Sequence, residues 1–162
     1  LALLGAMPAT RAAPDVFSFS AAVSACENVG RWQCGLALFG AMPAAHAVPD
    51  AIGFSATISA CEKGGQWQGA LALLGAMPAT HATPDAVSFS AAISACEKSA
   101  QWQLALVLLS GMSQCRASPN VVTWNAAISA CERGAQWQLA LELFHAMPAM
   151  QLMPDLITCS AA

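Results

Sequence analysis

The clearest hydrophobic pattern of the chain begins at Val16. Apolar side chains then recur at intervals of three and four residues, which places them on one face of a helix. They are Phe19, Ala22, Val23 and Cys26. The pattern ends near Gly30, and glycine is typical of helix ends. This segment predicts a first helix that begins at Val16 and ends close to Gly30.

A second stretch with the same spacing follows directly. Its apolar positions are Trp32, Leu36 and Phe39. The pattern stops where Met42 is followed by Pro43, because proline cannot continue the interior of a helix. The stretch predicts a second helix, with residues 44–49 as the link to the next unit.

The two-helix pattern repeats with a period of 35 residues. This offset aligns Pro14, Pro49, Pro84, Pro119 and Pro154, then Trp32, Trp67, Trp102 and Trp137, and also Met7, Met42, Met77, Met112 and Met147. We predict full repeats at 16–50, 51–85, 86–120 and 121–155, with partial repeats at 1–15 and 156–162. One helix pair cannot bury its apolar face alone, so the repeats are expected to stack into an all-α solenoid. Both ends fall inside a repeat, and we therefore expect the chain to be a piece of a longer protein.

Composition narrows the class of protein. Apolar residues make up 57% of the chain and charged residues 9%, a balance that excludes a disordered chain. The charge-free run 32–49 contains prolines and is too interrupted for a membrane span, so no membrane association is expected. The sequence starts without an initiator Met and contains no recognisable targeting segment. The net charge is −3, so the general basic surface of a nonspecific nucleic-acid binder is absent.

Metal binding and catalysis find no support in the sequence. Four of the seven cysteines recur at one repeat position, namely Cys26, Cys61, Cys96 and Cys131. A zinc site needs sulfurs about 2.3 Å from one ion, whereas packed helices lie about 8 to 10 Å apart. We therefore interpret these cysteines as small packing residues in a reducing compartment. His46, His81 and His145 have no spaced acid or nucleophile, so we predict no enzyme activity, no metal and no cofactor.

The repeat unit resembles the pentatricopeptide repeat. The unit has 35 residues, a Cys-Glu-Lys turn in two copies, an Ala-Leu pair in the second helix and a closing Pro-Asp, which is Pro-Asn once. Residues 121–155 are the clearest copy. The tetratricopeptide repeat has a period of about 34 residues and fits less well. The resemblance implies a right-handed superhelix that binds single-stranded RNA, one base per repeat, within an organellar (chloroplast or mitochondrial) RNA-processing factor. The alternative is a protein-binding scaffold, which the negative charge and alanine-rich surface favour.

The resemblance also implies which residues select the bases, namely the fifth and the last of each repeat. The pairs are Ser20 with Asp50, Ser55 with Asp85, Ser90 with Asn120, and Asn125 with Asp155. An Asp carboxylate accepts from the ring N–H of guanine or uracil, whereas an Asn amide donates to the bare ring nitrogen of adenine or cytosine. A small Ser leaves room for a purine and a longer Asn suits a pyrimidine. The predicted RNA is GGAU, read 5′ to 3′. The other interpretation of these residues is helix capping, since Ser, Asn and Asp all favour helix starts.

Further positions are assigned to stacking and to phosphates. The second residues of the repeats would form the apolar walls beside each base: Phe17, Ile52, Val87, Val122 and Ile157. Ordinary packing at helix starts is the other interpretation. The cations Lys63, Lys98 and Arg133 share one repeat position and would form a row that meets phosphates. They also suit the negative end of a helix dipole. The tryptophans are expected to pack between helices, with base stacking as the alternative.

Overall fold

The described part of this computed structural model comprises residues 15–152 and residue 158. Within it the chain forms eight α-helices, arranged as four consecutive pairs. The first helices of the pairs are α1 (Val16–Asn28), α3 (Ala51–Lys63), α5 (Ala86–Lys98) and α7 (Val121–Arg133). The second helices are α2 (Trp32–Ala41), α4 (Trp67–Ala76), α6 (Trp102–Met112) and α8 (Trp137–Ala146). The predicted all-α solenoid is therefore confirmed, and we use the predicted repeat boundaries as labels, repeats 1 to 4.

An Asp or Asn side chain caps every first helix at its start. The capping residues are Asp15, Asp50, Asp85 and Asn120, each in extended conformation. In each case a side-chain oxygen accepts a hydrogen bond from the backbone N–H three residues later, which satisfies one of the N–H groups that a helix start leaves unpaired. The residue that closes each repeat therefore also begins the next helix.

Each first helix ends in a turn with one left-handed residue. That position holds Gly30, Gly65, Ala100 or Ala135, with φ between 54° and 67°. In repeat 2 the backbone N–H of Gln66 donates to the carbonyl of Cys61 at 2.8 Å. This bond closes the turn in the manner of a Schellman motif. The turn sends the chain back along the helix it has just left.

Three of the second helices end at the alanine before the predicted methionine, and α6 ends at Met112. The link after them is more ordered than expected. Short 3₁₀ helices follow at Pro43–Ala45, Met77–Thr80 and Pro148–Met150. Proline suits the start of such a turn because it lacks an N–H that would remain unpaired there. Repeat 3 has Ser113 in place of this proline, and α6 is one residue longer than the other second helices.

The core lies between the first helices and the second helices. Each first helix packs against the first helix of the next repeat and against the second helix on either side. Equivalent side chains are buried in successive repeats, including Val23, Ile58, Ile93 and Ile128 in the first helices and Met42, Met77, Met112 and Met147 after the second. In repeats 2 to 4 these residues form one core that continues across the repeat boundaries. Val23 and Met42 of repeat 1 belong to a second cluster, which also includes Ala56 of repeat 2.

Trp32 and Trp102 pack against the following repeat, in line with the predicted packing between helices. A Cβ atom built on Gly64 would collide with the indole of Trp32, one repeat earlier, and Gly134 has the same relation to Trp102. Glycine at the end of the first helix thus makes room for the preceding tryptophan in repeats 2 and 4, whereas repeat 3 has Ser99 at this position. Trp137, in the last described pair, is 63% exposed.

Candidate nucleic-acid interface

The second residue of each repeat is apolar and exposed. Phe17 is 83% exposed, Ile52 64%, Val87 59% and Val122 60%. Large apolar side chains at this level of exposure are unusual when they recur in a row. We call the surface that these four residues form the first-helix face, because each lies in the first turn of a first helix. Ile157, the fifth predicted member, lies outside the described residues.

A pocket of about 210 Å³ opens on this face between repeats 1 and 2. It is lined by Phe17, Ser20, Ala21, Ser24, Asp50 and Ile52. The second, fifth and last residues of repeat 1 therefore surround one space, with the second residue of repeat 2 on the far side. The pocket thus joins the start of repeat 1 to its last residue and to the start of repeat 2.

A pocket of about 340 Å³ occupies the equivalent place between repeats 2 and 3. Its lining is Glu27, Ala51, Ile52, Ser55, Ala56, Ser59, Asp85 and Val87. The same three repeat positions contribute, and Ile52 is the wall that this pocket shares with the preceding one. The structure thus brings together two of the four predicted base-selecting pairs, each between two exposed apolar side chains.

The last residues of the repeats cap the following helices. The Oδ1 atom of Asp50 accepts from the N–H of Gly53 at 2.8 Å, and that of Asp85 accepts from Ser88 at 2.8 Å. The Oδ1 atom of Asn120 accepts from the N–H of Thr123 at 2.9 Å. The capping interpretation is therefore correct for these three. One side-chain atom is used in each cap, so base selection by the other atom stays a prediction. Asp155 lies outside the described residues.

The fifth residues differ from repeat to repeat. Ser20 is 7% exposed, and the hydroxyls of Ser20 and Ser55 are buried without a hydrogen-bond partner within the described structure. The hydroxyl of Ser90 donates to the carbonyl of Ala86 at 2.6 Å. Asn125 is buried, and its Oδ1 accepts from the hydroxyl of Thr158 at 2.6 Å. The unpartnered hydroxyls thus belong to the two serines that line the pockets.

The predicted row of cations is ion-paired along its length. The Lys63 ammonium lies 3.0 Å from Glu27, that of Lys98 2.6 Å from Glu62, and the Arg133 guanidinium 3.4 Å from Glu97. Each cation binds a glutamate of the preceding repeat, and we call these three pairs the ion-pair ladder. Glu27 also lines the pocket between repeats 2 and 3, so the ladder runs beside the pockets. The phosphate role of the three cations stays a prediction, and the glutamates partly neutralise them.

The remaining chemistry-bearing residues are spread through the array. Among residues 15–152 and 158, no three His, Cys, Asp or Glu side chains lie close enough to hold a metal ion. Burial raises the pKa of the Cys61 and Cys96 thiols to about 11, and also raises the pKa of Cys131. No described helix has the length and apolarity to cross a membrane.

Sequence reasoning missed the third residue of each repeat. Ser88 and Thr123 form capping boxes, in which their hydroxyls contact the backbone of Asp85 and Asn120. A Cβ atom added at Gly53 would lie 3.4 Å from the hydroxyl oxygen of Ser20, and the Thr158 hydroxyl donates to Oδ1 of Asn125. A Ser or Thr three residues after Asp or Asn is a recognisable capping signal. The approach of Gly53 to Ser20 and the bond from Thr158 to Asn125 cross a repeat boundary, which the sequence does not reveal.

Stacked helix pairs with side-chain pockets at successive repeat boundaries define a helical-repeat binding protein. A model of the PPR repeat family matches residues 119–161, and a model of the pentatricopeptide repeat domain matches residues 72–134. Together they extend over more than half of the chain. The chain belongs to the pentatricopeptide repeat family. A search of curated protein sequences finds no significant match.

Solved structures share the fold. The pentatricopeptide repeat protein PPR10, in complex with an 18-nt psaJ RNA element, matches 91% of this chain with a TM-score of 0.79 and 23% identity. The PPR domain of Arabidopsis thaliana protein-only RNase P 1, in complex with tRNA, matches 86% of this chain with a TM-score of 0.76 and 13% identity. A structure of PPR10 from maize matches 97% of this chain with a TM-score of 0.50 and 22% identity. The chain spans 22% of the length of PPR10 in the RNA complex and 74% of the RNase P domain.

Proposed function

We propose that this chain binds single-stranded RNA with one base at each repeat boundary. The observation that carries the proposal is the pair of successive pockets, each lined by the second, fifth and last residue of one repeat and by the second residue of the next. A pocket of a few hundred Å³ between two apolar side chains suits a flat, unstacked base. Similar folds are described in complex with RNA, which supports the same conclusion.

The polar groups at each pocket give the proposed base identity. Asp50 and Asp85 present a carboxylate to the ring N–H of guanine, and the small Ser20 and Ser55 leave space for a purine. Asn120 uses Oδ1 in its cap, which turns Nδ2 away from the helix as a donor for the ring nitrogen of adenine. Asn125 with Asp155 completes the set with uracil. The proposed RNA is GGAU, with the 5′ end at repeat 1.

The exposed apolar side chains supply stacking surfaces. A base in the pocket between repeats 1 and 2 would lie between Phe17 and Ile52, and the next base between Ile52 and Val87. Val122 and Ile157 extend the series. Removing these side chains from water is favourable whatever the base, so they would contribute affinity and the polar pairs selectivity.

Phosphate contacts are proposed for the row of cations. Lys63, Lys98 and Arg133 are 40%, 44% and 53% exposed at their side chains, and each already has a glutamate partner. A phosphate would compete with that glutamate. Exposed ion pairs are worth about 1 kcal/mol or less, so exchange of one anion for another has a low cost.

The family suggests the compartment and the cellular role of the parent protein. Pentatricopeptide repeat proteins are generally organellar, and we propose that the parent protein is a chloroplast or mitochondrial RNA-processing factor. The histidines of this chain have no spaced acid or nucleophile, and we propose that the chain contributes recognition alone.

Titration of the 162-residue chain with GGAU-containing RNA tests the proposal. Four bases give weak affinity, so chemical-shift changes of backbone amides around residues 17–24 and 52–59 are a suitable readout. We expect GGAU to shift these amides at lower concentration than the scrambled UAGG, with CCCC weaker still. Equal titration curves for all three RNAs would reject base selection, and no shift with any RNA would reject RNA binding.

A protein-binding scaffold is the second candidate, and the ion-pair ladder favours it. Each cation in the row has an acidic partner, which leaves little free positive charge for RNA on a chain of net charge −3. A scaffold would bind through the exposed apolar residues of the first-helix face. Its binding would persist at high salt, whereas RNA binding would weaken.

A further inference from the structure

The third residue of each repeat borders a side chain proposed to select a base in the preceding repeat. Gly53 shows this placement most directly. A Cβ atom at Gly53 would lie 3.3 Å from Oδ1 of Asp50 and 3.4 Å from the hydroxyl oxygen of Ser20. These atoms belong to the last and the fifth residue of repeat 1. Any side chain at this position would therefore contact both at once.

The backbone of the third residue fixes the last residue. The N–H groups of Gly53, Ser88 and Thr123 each donate to Oδ1 of the preceding Asp or Asn, at 2.8 to 2.9 Å. For Asn120 this bond also determines which end of the amide faces outward, because a reversed amide would place its NH₂ against the N–H of Thr123. The amide is thus oriented as a donor before a base arrives.

The side chain of the third residue adds a second constraint. The Thr123 hydroxyl lies 2.8 Å from the backbone N of Asn120 and 2.7 Å from its carbonyl oxygen, and Ser88 makes the same two contacts with Asp85 at 2.9 Å. Gly53 has no side chain for these contacts. The last residue is therefore held more firmly in repeats 2 and 3 than in repeat 1.

Thr158, the third residue of the partial repeat 156–162, contacts the fifth residue of repeat 4. Its hydroxyl donates to Oδ1 of Asn125 at 2.6 Å, and both side chains are buried. A hydrogen bond to Oδ1 identifies that atom as the acceptor end of the amide, so Nδ2 is the donor end. The orientation of the Asn125 amide decides whether it presents a donor or an acceptor to a base. A residue of the following repeat thus sets that orientation.

We infer that the third residue of each repeat, here Gly53, Ser88, Thr123 and Thr158, is a positioning residue that sets the base preference of the preceding repeat. It touches no base. Gly53, Ser88 and Thr123 act through the last residue by capping, and Gly53 and Thr158 act through the fifth residue by direct contact. The inference rests on the proposed RNA binding and extends its selectivity from two side chains per repeat to three.

Thr158→Val tests the inference, because valine has the shape of threonine without the hydroxyl. In the full chain we expect the preference for uracil over cytosine and adenine at the fourth base of GGAU to fall by about five-fold, the effect of one lost hydrogen bond. Preference at the first base, read by Ser20 and Asp50, should not change. Thr158→Ser keeps a hydroxyl and should restore the fourth preference.

Thr57→Val is the matched control, since the Thr57 hydroxyl is also buried and bonds the carbonyl of Gly53 in its own helix. Thr57→Val should change the stability of the fold without changing the base preference at the fourth base of GGAU. Retention of wild-type preference by Thr158→Val would overturn the inference while leaving RNA binding intact. A wild-type chain with no preference at any base would instead reject the proposed function, and the inference with it.

Discussion

The Lys63 ammonium lies 3.0 Å from the carboxylate of Glu27, which is 36 residues earlier and in the preceding repeat. Lys98 and Arg133 repeat this relation with Glu62 and Glu97. The residues that the sequence assigns to phosphates therefore already join neighbouring repeats. The salt dependence of RNA affinity tests whether these cations also bind RNA phosphates.

RNA affinity should fall with salt in proportion to the phosphates bound. For single strands the slope of log K against log salt concentration is about −0.7 per phosphate, so three contacts predict about −2. Lys63→Gln should reduce the slope by about 0.7. Arg116→Gln makes the same change of charge outside the ladder and should leave the slope unaltered. Titrations at several salt concentrations measure it, and a slope near zero for the wild-type chain would favour the scaffold.

Asn120→Asp should change the third base from adenine to guanine. Asp caps a helix as well as Asn does, so the fold should be unaffected. The outward atom becomes an acceptor, which suits the ring N–H of guanine and is repelled by the bare ring nitrogen of adenine. We expect a reversal of roughly ten-fold in relative affinity, measured by competition between GGAU and GGGU. Asn120→Ser keeps a cap but shortens the side chain, and it should lose the preference without reversing it.

Gly64→Ala should destabilise the array by about 1 to 3 kcal/mol, the usual cost of overpacking. The backbone of Gly64 has φ −85° and ψ 0°, which alanine also adopts, so the cost arises from displacement of the Trp32 indole. Gly75→Ala is the control, because nothing lies within 4 Å of a Cβ there. It should stabilise α4 by about 0.5 to 1 kcal/mol. Urea unfolding measures both, and equal effects would contradict the role given to Trp32.

Cysteine alkylation should distinguish the buried thiols of Cys61 and Cys96 from the exposed thiol of Cys115. Cys61 and Cys96 have a pKa raised to about 11 and are buried, so they carry little thiolate and are shielded from reagents. Cys115 is exposed. With iodoacetamide near neutral pH, peptide mass spectrometry should find Cys115 modified first and Cys61 and Cys96 modified only after unfolding. Comparable rates in the folded protein would show that the repeats open readily.

The free energy of unfolding should decrease as pH rises, because Glu97 loses its proton. Burial raises the pKa of this carboxyl, and the charges of Arg133 and Lys98 oppose the shift without cancelling it. The folded chain therefore holds this proton more tightly than the unfolded chain, and stability falls as pH rises from the ordinary value of a glutamate through the raised one. Glu97→Gln removes the titration. As pH rises from the ordinary pKa of a glutamate through the raised pKa of Glu97, the wild type should lose stability relative to this variant, and a gain would contradict the assigned cause.

Local sequence determines much of this fold. The spacing of Phe19, Val23 and Cys26, and the Asp or Asn before each first helix, predict helices that the structure contains, because spacing and capping act within one helix. The ordered 3₁₀ turn after Met42 was not predicted, since proline indicates where a helix stops but leaves the conformation of the next residues open.

The contacts between repeats could not be predicted in the same way. The bond from Lys63 to Glu27 joins side chains 36 residues apart, and the bond from Thr158 to Asn125 joins side chains 33 residues apart. Both depend on how far each repeat is rotated and shifted relative to the previous one, and that geometry results from the packing of whole helices. The pairing of fifth and last residues came from resemblance, and the third residue had no such guide.

The ion-pair ladder also bears on how such an array changes over generations. Repeats 1 to 3 each present a glutamate to the repeat after them, and repeats 2 to 4 each present a cation to the repeat before them, so the joint between neighbours is nearly the same at each boundary. An in-frame duplication or loss of one whole repeat in the gene would create a repeat boundary with the same kind of ion pair. The array can therefore be lengthened, shortened or reordered in evolution while the contacts between neighbouring repeats remain compatible.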